Sequence, residues 1–196
     1  WCGVWIMSQQ QTWLLVDTNY VIHRLLRGRG WQWNGDGPEA IEDACDFVVE
    51  EIRGMCELHT TENLVCCFDG SGSHRAASLP SYKANRTRDD VYKKISLVTK
   101  ALRDGVCNSR GFQNVFHTPG FEADDQIAML ALNIPKRHNA IIVTADQDMY
   151  QLLRDNVIIW HPGKGAVTKA SFINDYGIGP GMWCDVKALA GCTSDN

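Results

Sequence analysis

Acidic residues close or follow four apolar runs of the chain, and this pattern constrains both fold and function. The runs are WLLV, LVCCF, NVFHT and IIVTA, each of which has the length of a buried strand. In an open parallel sheet the carboxyl ends of the strands meet along one edge, so acids at these ends converge on one crevice. The acids concerned are Asp17, Asp69, Glu122, Asp124, Asp125, Asp146 and Asp148.

So many carboxylates in one crevice repel each other and raise each other's pKa. A hard divalent cation, Mg²⁺ or Mn²⁺, binds such oxygens and removes the repulsion. Each acid alone has an ordinary explanation, because Asp and Glu cap helices and form turns. Their recurrence at successive strand ends favours a metal site. Two ions about 3.5–4 Å apart would support hydrolysis of a phosphodiester.

The three acids of the FEADD segment are predicted to lie in the first turn of a helix. Glu122 and Asp125 are three residues apart and share a helix face, whereas Asp124 projects elsewhere. We therefore expect Glu122 and Asp125 to reach the crevice directly, and Asp124 to act through water.

Alternating strand and helix patterns predict an α/β fold, in which helices flank a mainly parallel central sheet. The segment 71–87 has turn-forming and basic residues with little apolar periodicity, so we expect a mobile loop or arch there. Strands are expected over 12–16, 63–68, 113–118, 139–145 and 156–161. Helices are expected over 19–26, 38–59, 89–107, 121–133, 147–154, 168–177 and 180–191, with a turn at 162–165.

Positive charge is concentrated in one segment. The chain has a net charge of −4, but His74 to Arg103 has eight basic and two acidic residues. Within it, YKANR places Tyr82, Lys83 and Arg86 close together. An aromatic ring can stack on a base, and Lys and Arg can neutralise phosphate. A solvated basic loop is the simpler alternative, but an acidic pocket needs a cationic element to attract a polyanion.

Composition predicts one soluble domain. A chain of 196 residues, 44% hydrophobic and 21% charged, is long enough for a single α/β core. No run approaches the roughly 18 apolar residues of a membrane span, and no signal peptide is recognisable. Eight cysteines without a CxxC pair are typical of reduced thiols in the cytoplasm, which for a phage protein would be that of the bacterial host.

Several motifs together resemble the 5′-nuclease family, which comprises bacteriophage 5′–3′ exonucleases, flap endonucleases and the N-terminal nuclease domain of bacterial DNA polymerase I. The motifs are LLVDTNYVIHR, FDG, YKANR, PGFEADDQIA, TADQDMYQLL and ALAGCTSDN, in the family's order and near its spacing. The resemblance covers residues 12–196. It implies a PIN-like, resolvase-like fold and Mg²⁺-dependent hydrolysis of DNA at 5′ ends or flaps, with RNA–DNA hybrids as a further possible substrate.

The resemblance also implies roles for particular residues. Lys83 and Arg86 match arch residues that contact the scissile phosphate, and Tyr82 matches a base-stacking partner. We further expect Arg75, Arg88 and Lys93, in and beside the basic arch at about 71–92, to bind nucleic acid. The implied ligands of a tighter metal site are Asp17, Asp69, Glu122, Asp124 and Asp125. Those of a second site are Asp146, Asp148 and Asp195.

The chain departs from the family pattern in two places. Cys192 stands where the family has an acid, which is expected to weaken the second metal site because a neutral thiol is a poor Mg²⁺ ligand. The sequence also stops at Asn196, before the family's helix–three-turn–helix element. We expect either a fragment or a separate chain that supplies this duplex-binding region. Residues 1–11 are expected to be an N-terminal extension, with Met7 as the natural start.

Two other functions fit part of the pattern. A PIN-type ribonuclease acting on single-stranded RNA shares the acidic pocket, but the YKANR segment argues against it. A catalytically weak nucleic-acid-binding fragment would follow from Cys192 and the absent C-terminal element. Comparing cleavage of 5′-flap DNA with cleavage of single-stranded RNA, in Mg²⁺ and in Ca²⁺, separates these functions.

Overall fold

A six-stranded sheet forms the centre of the computed structural model, which describes residues 10–28, 30–72, 74–79 and 89–191. The strand order is β3-β2-β1-β4-β5-β6. All neighbouring strands are parallel except β5 and β6, which are antiparallel. The strands are β1 (Thr12–Asp17), β2 (Asn63–Cys67), β3 (Val115–Phe116), β4 (Asn139–Val143), β5 (Val157–His161) and β6 (Gly165–Val167).

Helices connect these strands and cover the sheet. Two further segments are 3₁₀-helical, Gln147–Leu152 and Pro180–Met182, and a π-helical turn spans Leu102–Val106. The α-helices are α1 (Thr18–Arg27), α2 (Pro38–Leu58), α3 (His74–Ser78), α4 (Asp90–Ala101), α5 (Cys107–Ser109), α6 (Ala123–Asn133), α7 (Lys169–Tyr176) and α8 (Trp183–Ala190). Within the described ranges, no helix is long and apolar enough to cross a bilayer.

The sheet reverses its direction of growth between β1 and β4. The chain builds outward from β1 through β2 to β3, then returns to the other side of β1 with β4 and continues to β5. In such sheets the crevice outside the carboxyl ends of the two central strands is the usual ligand site. Here it lies between the end of β1, at Asp17, and the residues that follow β4.

Alternate side chains of the strands enter two separate cores. Leu14, Val16 and Cys66 pack with α1, α2 and α4, whereas Leu15 and Cys67 pack with α6 and the C-terminal helices. This period of two is that of a strand buried on both faces. The predicted α/β class, with a mainly parallel sheet covered on both faces, is confirmed.

Two features of the sheet differ from the prediction. The strand expected over 113–118 is reduced to Val115–Phe116, because it pairs with β2 only at Cys66 and Cys67. The expected turn at 162–165 leads into the unpredicted strand β6. Gly163 and Gly165 have φ values of +94° and +93°, which allow the chain to reverse and pair antiparallel with β5.

Three further segments differ from the prediction. The helix expected over 89–107 ends as α4 at Ala101 and continues through the π-helical turn. The helix expected over 147–154 is a 3₁₀ helix that ends at Leu152. Part of the segment expected to be a loop, His74–Ser78, is the short helix α3. Residues 80–88, the centre of the expected arch, lie outside the described residues.

The segments after β2 and before α6 are joined by a tight backbone contact. The Gly70 amide donates to the Phe121 carbonyl at 2.9 Å. A Cβ atom on Gly70 would lie 1.8 Å from the Thr118 carbonyl oxygen, so no side chain fits there. This contact fixes Asp69, which precedes Gly70, against the start of α6.

We therefore expect Gly70→Ala to destabilise the protein by at least about 2 kcal/mol, because the new methyl group meets backbone atoms. Urea unfolding measures the change. Gly54→Ala is the control: Gly54 lies within α2 with open space around it, and Ala there should stabilise by about 0.5–1 kcal/mol. Equal effects of the two substitutions would contradict the close approach at Gly70.

Candidate metal centre and nucleic-acid cleft

A cleft at the carboxyl ends of β1 and β4 contains five of the predicted acids; we call it the acidic cleft. One side is formed by α1 and the start of α4, and the other by the start of α6. Its lining residues are Asp17, Asn19, Tyr20, His23, Arg27, Asp69, Asp89, Tyr92, Glu122, Ala123, Asp124 and Asp146.

Asp17 ends β1 and caps α1. Its side chain accepts hydrogen bonds from the Tyr20 amide at 3.0 Å and from the Thr144 hydroxyl at 3.1 Å. Burial raises the pKa of Asp17 to about 7, and the charges of Asp69 and Asp124 add to the rise. Its charged form is therefore unfavourable in the cation-free protein.

Asp69 follows β2 and links α1 to α6. One carboxylate oxygen accepts the Ala123 amide at 2.9 Å, and the other accepts the Asn19 side-chain amide at 2.8 Å. Asn19 also accepts the Asp69 amide at 3.3 Å. These contacts hold the Asp69 carboxylate at the start of α6, where free N–H groups favour an anion.

The acids at the start of α6 are arranged differently from the prediction. Glu122 and Asp124 line the cleft, whereas Asp125 does not. Asp125 turns back to accept the Glu122 amide at 3.0 Å, as the third residue of a helix often does. The prediction that Asp124 projects elsewhere is therefore wrong. Burial raises the pKa of Asp124, although the nearby Arg75 guanidinium lowers it.

Asp146 and Asp148 follow β4 but point to different partners. Asp146 lines the cleft and caps the 3₁₀ helix by accepting the Asp148 amide at 2.8 Å. Its own amide donates to the Thr144 hydroxyl, which also contacts Asp17. Asp148 lies 3.2 Å from the ammonium group of Lys187 in α8 and does not line the cleft.

Arg75, predicted to bind nucleic acid, contacts the α6 acids. Its Nη1 atom lies 2.5 Å from Glu122 and 3.0 Å from Asp124, and its Nη2 atom lies 2.6 Å from Asp125. One guanidinium group thus neutralises part of a three-carboxylate cluster.

The α1 side of the cleft was missed by sequence reasoning. Tyr20, His23 and Arg27 lie on one face of α1, opposite its buried apolar face. The His23 ring lies 5.9 Å from that of Tyr92, and Arg27 forms two hydrogen bonds, of 3.0 and 3.1 Å, with Asp89. The sequence could have indicated this polar face, because in NYVIHRLLR polar residues recur at helical spacing on the side opposite the apolar residues.

Several predicted site residues lie outside the described residues: Tyr82, Lys83, Arg86, Arg88 and Asp195. Cys192 also lies there. Lys93 is described. It is exposed on α4 and pairs with Asp90 at 2.8 Å, away from the cleft lining.

The cleft offers oxygen ligands for hard cations. Among the described residues, no three Asp, Glu, His or Cys side chains are already arranged so that they could hold a metal ion. The carboxylates that face the cleft nevertheless come from the ends of β1 and β2, the start of α6 and the segment after β4. Oxygen donors of this kind suit Mg²⁺ or Mn²⁺ better than softer metals.

The fold and the cleft define a resolvase-like α/β domain with carboxylates at its switch point. The family model described as "5′-3′ exonuclease, N-terminal resolvase-like domain" matches residues 12–177. The chain belongs to this 5′-3′ exonuclease family, and the resemblance proposed from its motifs is confirmed.

Curated relatives include polymerases and separate exonucleases. The thermostable DNA polymerase I of Thermus thermophilus is 39% identical over 187 residues, which are 93% of this chain and 21% of the polymerase. The 5′-3′ exonuclease of Bacillus subtilis is 36% identical over 149 residues, 71% of this chain and 48% of the exonuclease. That of Mycoplasmopsis pulmonis is 27% identical over 194 residues, 96% of this chain and 62% of the relative. The chain thus spans only part of these relatives.

Solved structures of a bacteriophage T5 enzyme share the fold. The T5 5′-exonuclease with bound zinc has a TM-score of 0.76 at 18% identity, covering 95% of this chain and 69% of the other. The T5 flap endonuclease in a complex with DNA and metal ions has a TM-score of 0.74 at 19% identity, covering 95% and 68%.

The raised pKa of Asp17 predicts a pH dependence of stability without metal. An ordinary Asp has a pKa of 3.8, against about 7 for folded Asp17. The folded state therefore holds a proton that the unfolded state releases. The stability from this protonation is complete below pH 3.8 and is lost as the pH rises through about 7.

Asp17→Asn should remove this contribution. Urea unfolding in EDTA at pH 5 and pH 8 measures it, and the loss of stability between these values should be smaller in the variant than in the wild type. The exposed Asp175 provides the control, since Asp175→Asn should leave the pH dependence unchanged. An unchanged pH dependence in Asp17→Asn would contradict the burial of this carboxyl group.

Proposed function

We propose that this domain hydrolyses phosphodiester bonds of DNA near 5′ ends or flap junctions, with divalent cations as cofactor. The acidic cleft carries the proposal, because five of the predicted carboxylates, from four segments, face one crevice at the switch point of the sheet. Membership of the 5′-3′ exonuclease family supports the same reaction class.

We propose two ions, Mg²⁺ or Mn²⁺, in the acidic cleft. Asp17, Asp69, Glu122 and Asp124 would hold one, and Asp146 would hold the second together with Asp195, whereas Asp148 pairs with Lys187. Bound there, the cations would activate a water molecule and stabilise charge on the phosphate oxygens. The raised pKa of Asp17 supports this fit, because a cation beside it would favour its charged form.

The residues of the chain would position the substrate. Asp69 and Asp146 are fixed by backbone amides, so their carboxylates are preorganised. Lys83 and Arg86 would steady the scissile phosphate, and Tyr82 would stack on a base. A phosphodiester in the cleft would lie between the carboxylates and the α1 side.

The substrate class rests on the YKANR segment and the relatives. The T5 flap endonuclease was crystallised with DNA, and the T5 5′-exonuclease with zinc. By analogy we propose DNA with 5′ ends or flaps as the substrate, with RNA–DNA hybrids as a second one. Faster cleavage of single-stranded RNA than of 5′-flap DNA would instead indicate a PIN-type ribonuclease.

Asp146→Asn should lower the cleavage rate of a 5′-flap DNA in Mg²⁺ by about 100-fold or more, because a lost ligand charge costs several kcal/mol of transition-state stabilisation. Asn is also a good helix cap, so circular dichroism and the unfolding midpoint should stay unchanged. Asp155→Asn is the control, since Asp155 is 91% exposed and pairs only with Lys169 among the described residues. Full activity of Asp146→Asn would refute the role of this carboxylate.

Lys83→Ala and Arg86→Ala should each slow cleavage of the same DNA at least about tenfold, because a charge-assisted contact to the phosphate is lost. Binding of Mn²⁺, followed by calorimetric titration, should not change, because neither side chain is a predicted metal ligand. If Mn²⁺ affinity fell by the same factor as the cleavage rate, these residues would instead contribute to metal binding.

A further inference from the structure

We propose that Arg75 is a built-in counter-cation of the α6 acids, which a divalent cation must displace from Glu122 and Asp124. In the metal-free protein the guanidinium holds these carboxylates together. On metal binding it withdraws and keeps its contact with Asp125. The inference rests on the proposed function, because it assumes that the acidic cleft binds divalent cations.

Arg75 contacts three of the four side-chain oxygens that Glu122 and Asp124 could offer a metal ion. Nη1 contacts Glu122 Oε2 at 2.5 Å and both oxygens of Asp124 at 3.0 and 3.3 Å. Mg²⁺ binds carboxylate oxygens at about 2.0–2.1 Å. Two positive groups cannot share these oxygens at such distances without strong repulsion. Binding of the metal to Asp124 or to Glu122 Oε2 therefore requires Nη1 to leave.

The location of Arg75 is unfavourable without the carboxylates. Its guanidinium lies at the start of α6, the positive end of the helix dipole, where a cation is normally destabilised. Glu122, Asp124 and Asp125 lie within four residues and repel each other without a counter-charge. The cluster and the guanidinium thus depend on one another when no other cation is bound.

The backbone that carries Arg75 is fixed to the turn before α6. The His74 amide donates to the Gly120 carbonyl at 2.9 Å, and the Gly120 amide donates to the Ser71 carbonyl at 2.8 Å. The His74 ring packs edge-on against Phe121 at 5.2 Å. Since the side chain of Arg75 is 41% exposed, it can rotate toward solvent while this backbone stays in place.

Asp125 offers the displaced guanidinium a partner outside the cleft. Its Oδ1 atom accepts from Nη2 at 2.6 Å, and Asp125 does not line the cleft. Its Oδ2 atom is occupied by the Glu122 amide. Asp125 therefore caps the helix with one oxygen and binds Arg75 with the other. This gives the third acid of the turn a role that differs from that of the two acids facing the cleft.

Arg75→Ala tests the proposal, with Arg110→Ala as the matched control. Arg110 is equally exposed, at 40%, and pairs at 2.6 Å with Asp46, away from the cleft. Mn²⁺ affinity is measured by electron paramagnetic resonance of the free ion, and the unfolding midpoint is measured in EDTA and in saturating Mn²⁺. Arg75→Lys, which keeps the charge but replaces the planar two-nitrogen fork with a single ammonium nitrogen, is the conservative variant.

We expect Arg75→Ala to bind Mn²⁺ about tenfold more tightly than the wild type, since a competing charge-assisted contact is removed. Its unfolding midpoint should fall in EDTA and return toward the wild-type value in saturating Mn²⁺. Arg75→Lys should bind Mn²⁺ a few-fold more tightly, and this comparison decides the question if Arg75→Ala does not fold. Arg110→Ala should match the wild-type affinity.

Unchanged or weaker Mn²⁺ binding by both Arg75 variants would overturn the displacement, while wild-type binding would leave the proposed function standing. A wild-type protein that does not bind Mn²⁺ would overturn the metal-dependent function and the displacement with it. The affinity of the wild type thus tests the function, and the difference between variants tests Arg75.

Discussion

Carboxylates crowd together at the carboxyl edge of the sheet, where burial and mutual repulsion both oppose their charged forms. Strands β1 and β4 are neighbours, so the acids that follow them meet at the switch point. The fold offsets the repulsion partly with backbone amides. The Tyr20 amide faces Asp17, the Ala123 amide faces Asp69, and the Asp148 amide faces Asp146.

These amides do not neutralise the whole cleft. Asp17 and Asp124 still have raised pKa values; burial is the main cause in both, and the charges of neighbouring carboxylates add to the rise. The remaining negative charge attracts cations, of which the structure already supplies one in the Arg75 guanidinium. A site with this residual charge is suited to a divalent ion, and the same charge explains why a polyanionic substrate would need the basic segment around Lys83.

The other side of the cleft has a different chemical character. Along α1, ring and cationic side chains replace carboxylates, with the His23–Tyr92 ring contact and the Arg27–Asp89 pair at the base of α4. Asp89 also caps α4 by accepting the Tyr92 amide at 2.7 Å. The pair thus links the end of α1 to the helix that follows the expected arch.

Sequence reasoning predicted the central fold because its signals are local. The runs before Asp17, Asp69 and Asp146 are apolar and short, so the edge of the sheet at which each acid lies follows from the parallel strands. The positions of Asp124 and Asp125 could not be predicted from helix periodicity, because a capping hydrogen bond to Glu122 turned Asp125 away from the cleft. The contact between Arg75 and Glu122 could not be predicted either, because the two residues are 47 positions apart in the sequence.

Sheet edges were harder to predict than the centre. Strand β3 has only two residues, and β6 depends on positive φ values at Gly163 and Gly165 rather than on apolar periodicity. The family motifs predicted the family and fold correctly. The metal ligands and the roles of Lys83 and Arg86 remain predictions.

Anomalous diffraction from crystals soaked in Mn²⁺ would show whether metal ions bind in the acidic cleft. We expect manganese peaks within the acidic cleft, coordinated by Asp17, Asp69, Glu122, Asp124 or Asp146, with Arg75 rotated away from Glu122. A cleft without manganese at saturating concentration, with Arg75 still on its three carboxylates, would contradict this expectation.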